Sequence, residues 1–136
     1  MDLKYFKKSE FTDFEKMDKY SIECLEKFRE LIGLPIFISS SNGGEHVKNS
    51  QHYLGKAFDI FIPKYEGKLF DLIEKAKKCG FKGIGLYPHW RYQGRQMGGM
   101  HLDTRENDAR WIGVMSNSKQ ILIAFDETNL RKYNLK

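Results

Sequence analysis

Cysteine is scarce in this chain, with Cys24 and Cys79 the only two among 136 residues. Two thiols cannot make the disulfide framework that staples small secreted domains, and neither has metal-ligand spacing, so both read as buried free thiols. Long apolar runs are missing as well. No segment approaches the roughly 20 residues of a membrane-spanning helix, which excludes a membrane-embedded class. The opening stretch Met1-Asp2-Leu3-Lys4-Tyr5-Phe6-Lys7-Lys8 has no apolar secretion core, so synthesis in the cytoplasm without a signal peptide is expected. There is no internal repeat or low-complexity segment. Charge of one sign is modest: 23 basic against 18 acidic residues give +5 and a pI near 9.1. The basic residues are dispersed, which describes a solvated surface; a nucleic-acid-binding reading has net charge alone behind it, and no nucleic-acid or membrane partner is expected. A serine nucleophile is excluded at Ser50, which lacks the flanking turn signature; its hydroxyl is expected to fix the loop or touch substrate.

What is present fits one domain over residues 1–136, with 40% hydrophobic residues for a real core, and a monomer is expected. Asp18 as a cap, Ile22, Leu25, Phe28 and Ile32 on one face, and Gly33 as a stop predict a helix over 18–32. Pro35 opens a strand at 36–39, followed by a polar loop through 40–49. A second helix is predicted over 68–78, from Leu69, Leu72, Ile73 and Ala76, ending at Gly80. Strands follow near 83–87, 100–104 and 110–115. The glycine-rich, aromatic segment from Tyr87 to Gly99 suggests a flap, and the apolar patch from Ile121 to Phe125 a short element packed on the surface. The fold class expected is α+β: a mostly antiparallel sheet with two main helices packed against it and a metal site on the sheet.

The chemistry gathers around residues 50–60. Asp59 lies within Ala57-Phe58-Asp59-Ile60-Phe61-Ile62, an otherwise apolar run where an ionised carboxylate is costly unless a cation or several donors compensate it. His52 stands seven positions earlier, with Gly55 between them to allow a sharp turn, so both can point at one centre. Farther along, alternation in Met100-His101-Leu102-Asp103 puts His101 and Asp103 on one strand face and offers a third ligand. Two histidines and a carboxylate with an open fourth position form a known catalytic zinc set that acidifies water to a pKa of roughly 7, which points to hydrolysis.

These residues resemble the zinc D-alanyl-D-alanine carboxypeptidases and their relatives, the phage endolysin L-alanyl-D-glutamate endopeptidases and hedgehog domains. The shared pattern Ser-x-His-x-x-Gly-x-Ala-x-Asp is met by Ser50, His52, Gly55, Ala57 and Asp59. Shorter echoes are Ser9-Glu10-Phe11, Pro35 to Ser40, Gly80 to Tyr87, His101 to Arg105 and Arg110-Trp111, so the resemblance spans roughly residues 3 to 113. It implies zinc on His52, Asp59 and His101, a stem peptide of bacterial peptidoglycan as substrate, and action on the cell wall after release.

Two departures shape the expectation. Where the carboxypeptidase branch carries an acid three positions before the last histidine, this chain has Gly98, which leaves Asp103 as candidate base or as a group orienting a histidine, with His89, His46 and Glu45 behind it. The arginine that grips a substrate carboxylate in relatives is absent from Ser39-Ser40-Ser41-Asn42-Gly43-Gly44. Arg91, Arg95 or Lys48 would replace it, or the enzyme cuts within a peptide and needs no such grip. The alternative is a binding module of the same fold that keeps zinc but has lost turnover.

Overall fold

Asp18 and Gly33 bracket the first helix as predicted. In the computed structural model, which describes residues 2–41 and 50–136, α1 runs Lys19–Ile32; the Asp18 carboxylate accepts the Ser21 N–H at its start, and Gly33 ends it at φ +69. Two 3-10 turns before it, Lys8–Glu10 and Phe14–Lys16, deliver Phe6, Phe11 and Met17 to the core. Strand β1 (Phe37–Ser40) then pairs with β2 (Ala57–Phe61). A 3-10 turn, Leu69–Leu72, leads into α2 (Ile73–Lys78), and β3 (Gly83–Tyr87) follows. A small hairpin of β4 (Arg91–Tyr92) and β5 (Arg95–Gln96) precedes β6 (Gly99–Asp103), β7 (Ala109–Ser116), β8 (Lys119–Ile123) and α3 (Glu127–Lys132).

Six strands form one sheet in the order β1-β2-β6-β3-β7-β8, antiparallel at every pairing except β3 with β7. This is the α+β architecture expected. Because side chains alternate across a strand, each strand splits cleanly. Phe58 and Ile60, Ile84 and Leu86, Met100 and Leu102, Ile112 and Val114 are all buried in the core, together with Ile22, Leu25 and Phe28 of α1 and Ile73 and Ala76 of α2. Edge-to-face contacts tie the layers: Phe28 meets Phe81 at 6.4 Å between centroids, and Phe81 meets Phe58 at 6.3 Å. Each such buried aromatic contributes on the order of 1.5–3 kcal/mol relative to exposure. The opposite face carries Asp59, His101 and Asp103.

Two expectations are corrected. The second helix is shorter than 68–78, because its first turn is 3-10 and the Phe70 N–H leaves the helical pattern to bond the Leu135 carbonyl at 3.0 Å. The tail is more than a surface element: β8 extends the sheet, and beyond it Leu130 and Leu135 are buried in the core. The segment from Tyr87 to Gly99 is an ordered hairpin, turning at Gln93 and Gly94 with φ of +49 and +78. Cys24 and Cys79 are buried free thiols, as read. Glu45, His46 and Lys48 lie outside the described residues. Among the described residues, no helix is long and apolar enough to cross a membrane.

Candidate metal centre

Asp59 and His101 meet because β2 and β6 pair in a register that sets them directly opposite one another. The same cross-strand row continues through Gly85 on β3 to Trp111 on β7. His52 arrives from outside the sheet, on a turn over 51–55. The Ser50 hydroxyl accepts the His52 N–H at 3.1 Å, and the Gly55 N–H returns to the His52 carbonyl at 3.0 Å. Gly55 has φ +70, and a Cβ there would collide with the Lys16 carbonyl. Its own carbonyl accepts the Asp18 N–H at 2.9 Å, so the turn carrying His52 is clamped to the start of α1.

The three side chains converge atom to atom. His52 Nε2 lies 3.2 Å and His101 Nδ1 3.1 Å from Asp59 Oδ1, and the three ligand atoms all fall within 4.8 Å of one another. Each imidazole is held from behind by its other nitrogen. His52 Nδ1 faces the Ser41 carbonyl, which can only accept, so Nδ1 carries the proton. His101 Nε2 donates to Asp103 Oδ2 at 2.6 Å. In their neutral forms both rings therefore present lone pairs to an oxygen that also has only lone pairs to offer. Such a cluster requires a cation at its centre, a proton or a metal ion. Burial alone would push Asp59 upward, but hydrogen bonds from His101 and His52 outweigh it and hold the carboxyl at about 2. Burial likewise opposes a charged His101, yet the Asp103 and Asp59 carboxylates raise its pKa above the ordinary value. This buried group of His52, Asp59 and His101 can hold a metal ion.

Asp103 stands on the far side of His101 from that centre. Its side chain is 0% exposed, and both oxygens are fully engaged: Oδ1 accepts the Arg105 backbone N–H at 3.1 Å and Nε–H at 2.8 Å, and Oδ2 accepts Arg105 Nη2–H and His101 Nε2–H, each at 2.6 Å. Burial works against the ionised carboxyl, but Arg105 and His101 overcome it and hold its pKa far below the usual range. The arrangement is that of a carboxylate orienting a histidine, as one held behind a metal ligand would be. It sets Asp103 against Nε2, while the centre faces Nδ1.

The sheet face around the cluster is paved by aromatic rings lying over glycines. A Cβ at Gly83 would collide with Asp103 and Arg105, at Gly85 with Trp111, at Gly99 with Trp90, and at Gly113 with Tyr87. Trp111 reaches His101 at 5.1 Å between centroids and donates from Nε1 to the Tyr87 hydroxyl at 2.7 Å. Trp90 stacks on Tyr87 at 4.1 Å, and Tyr92 packs on Phe61 at 5.4 Å and Phe37 at 5.2 Å. The hairpin thus rests on the same face, beside Phe61, two residues from Asp59. Arg105, Tyr87 and Trp111 were assigned no role from sequence. The alternation in Gly83-Ile84-Gly85-Leu86-Tyr87, with glycines all on one face, is the signal that marks close packing there.

Other sequence candidates lie apart. Arg91 is exposed, and its guanidinium turns back to the Gly94 carbonyl of its own hairpin. His89 lines a separate cleft of about 490 Å³ together with Lys68, Met97, Lys132 and Tyr133; no cluster residue lines that cleft. Its Nδ1 accepts the Met115 N–H at 2.9 Å. Comparison with protein-family models, curated proteins and solved structures gave no match to this chain.

Proposed function

We propose that this chain is a zinc-dependent peptidase that hydrolyses peptide bonds in the stem peptides of bacterial peptidoglycan. The observation that carries the reading is the convergence of His52 Nε2, Asp59 Oδ1 and His101 Nδ1, with both rings held from behind. Ligand atoms of a tetrahedral zinc lie about 3.4 Å apart, given Zn–N distances of roughly 2.0–2.1 Å. The 3.2 and 3.1 Å contacts to Asp59 fit such a set after a small expansion. Zinc there supplies Lewis acidity and lowers the pKa of water to roughly 7. The resemblance in the Ser50 to Asp59 pattern narrows the substrate class to cell-wall peptides. A second reading, a zinc-holding binding module without turnover, is favoured by two observations: Asp103 is turned away from the centre, and position 98 is glycine.

Protein purified without added zinc is expected to contain one zinc per chain and to release peptide fragments and new amino groups from peptidoglycan. Chelation should abolish release and zinc should restore it. New sugar reducing ends would show the class to be wrong, since glycoside cleavage relies on a separated carboxylate pair. Binding to the wall without new amino groups would support the binding module.

Position 98 gives a further check. Gly98 has φ +80, and a Cβ there would approach Leu69 and Pro88 rather than the cluster. Gly98→Glu is therefore expected to leave the hydrolysis rate no higher and to lower stability by about 1–2 kcal/mol through left-handed strain. A rate increase of tenfold or more would mean that the acid reaches the centre.

A further inference from the structure

The Tyr87 hydroxyl lies on the site face with a proton to give. Trp111 Nε1–H donates to it at 2.7 Å. An indole nitrogen offers only a donor, so the phenol takes this bond on a lone pair and keeps its own proton. Among the described residues, no hydrogen-bond acceptor takes that proton. The ring's lean places it. One ring edge lies over Gly85 and the ring itself over Gly113, where in each case a Cβ would collide with it. Gly85 is the cross-strand partner of His101, so the ring runs back along β3 toward the level of the cluster. Trp111 fixes the hydroxyl from one side while its own ring stands against His101 at 5.1 Å. Burial, reinforced by the nearby Asp59 charge against the Trp111 bond, keeps the phenol protonated.

We propose that Tyr87 is a catalytic residue of the hydrolysis proposed above, donating its O–H to the carbonyl oxygen of the scissile peptide bond, with Trp111 as its positioning residue. The inference rests on the peptidase reading. As the water oxygen bonds to the carbonyl carbon, the π electron pair moves onto the carbonyl oxygen. The Tyr87 O–H holds that developing charge without being transferred. The pair returns as the C–N bond breaks, and the proton lost by the water ends on the leaving nitrogen. Donors aimed at charge that develops only in the transition state are worth about 100- to 1,000-fold in turnover.

The test compares wild type with Tyr87→Phe, which keeps the stacking on Trp90 and the packing over Gly85 and Gly113. Two quantities are read: kcat and KM on a peptidoglycan stem peptide, and the affinity for an analogue carrying a phosphinate in place of the scissile amide. Tyr87→Phe is expected to lower kcat about 100-fold with KM nearly unchanged, and to weaken phosphinate binding by a similar factor, with zinc content intact. Equal kcat and equal phosphinate affinity in the two proteins would overturn the inference and leave the peptidase reading standing. Absence of hydrolysis by the wild type would remove both. Should Tyr87→Phe lose zinc or melt early, Trp111→Phe retains the phenol but removes the N–H that holds it. A smaller loss confined to kcat is expected there, and an unchanged kcat would overturn the proposal.

Discussion

The His52→Ala variant is expected to hold no zinc through purification, where the wild-type chain holds one ion. Zinc-binding free energies of roughly 10–16 kcal/mol, shared over a small ligand set, come to about 3 kcal/mol or more per ligand, or a 100- to 1,000-fold loss in affinity. The loss should be larger than a missing ligand alone implies. Without His52, Asp59 Oδ1 keeps only the His101 contact, and the turn over 51–55 no longer has its ring anchored on the Ser41 carbonyl. A structural histidine would behave differently: its removal would lower the melting temperature while leaving metal content unaffected. Stoichiometric zinc in His52→Ala would therefore end the assignment. Acid provides a second arm. The pKa of His101 is raised, so a metal ion must displace a tightly held proton from Nδ1. Zinc affinity is accordingly expected to weaken as pH falls and the proton competes more strongly for Nδ1, with protons released on rebinding.

Much of the site's plan was legible before the structure. Asp59 stood out because a charge inside an apolar run needs a partner, and alternation put His101 and Asp103 on one strand face. The caps Asp18 and Gly33 read correctly because capping is local chemistry, decided within three or four residues. The tertiary pairings were not legible. Nothing in the chain near Tyr87 says that Trp111 donates to it, because the two are joined by the parallel register of β3 with β7 across 24 positions of sequence. The role of the glycines was hidden for the same reason: Gly83, Gly85 and Gly113 look like weak strand residues until the rings and the Asp103–Arg105 pair that lie over them are in place. Arg105 was visible as part of an echo, but its two-pronged grip on Asp103 depends on a small-residue row, Ala57, Gly83 and Ala109, that leaves room beside Asp103. The tail went astray because an isolated apolar patch does not distinguish a strand at a sheet edge from a loop resting on one.

Asp103→Asn separates the two roles that sequence alone left open for this residue, and the geometry now favours one. A base acting on water at the centre predicts a rate loss of about 100-fold or more with zinc content near normal. An orienting residue predicts zinc affinity weakened by roughly 10- to 100-fold, with excess zinc recovering much of the activity. The second outcome is expected, because Asp103 touches His101 at Nε2 while the centre faces Nδ1. The substitution should also cost stability. The carboxylate accepts four hydrogen bonds, two on each oxygen. An asparagine offers one acceptor oxygen and turns an NH2 toward donors, so two of the four bonds are lost in a fully buried position. At about 1–3 kcal/mol for each unsatisfied buried donor, a loss of roughly 2–4 kcal/mol is expected, since Arg105 is partly exposed and recovers some solvation. Melting measured with and without saturating zinc, alongside the rate, distinguishes the cases: lowered affinity with rescue by zinc fits the orienting role, and a slow enzyme of normal affinity restores Asp103 as the base. Wild-type rate and wild-type affinity together would exclude both roles and leave the Arg105–Asp103–His101 chain as scaffold.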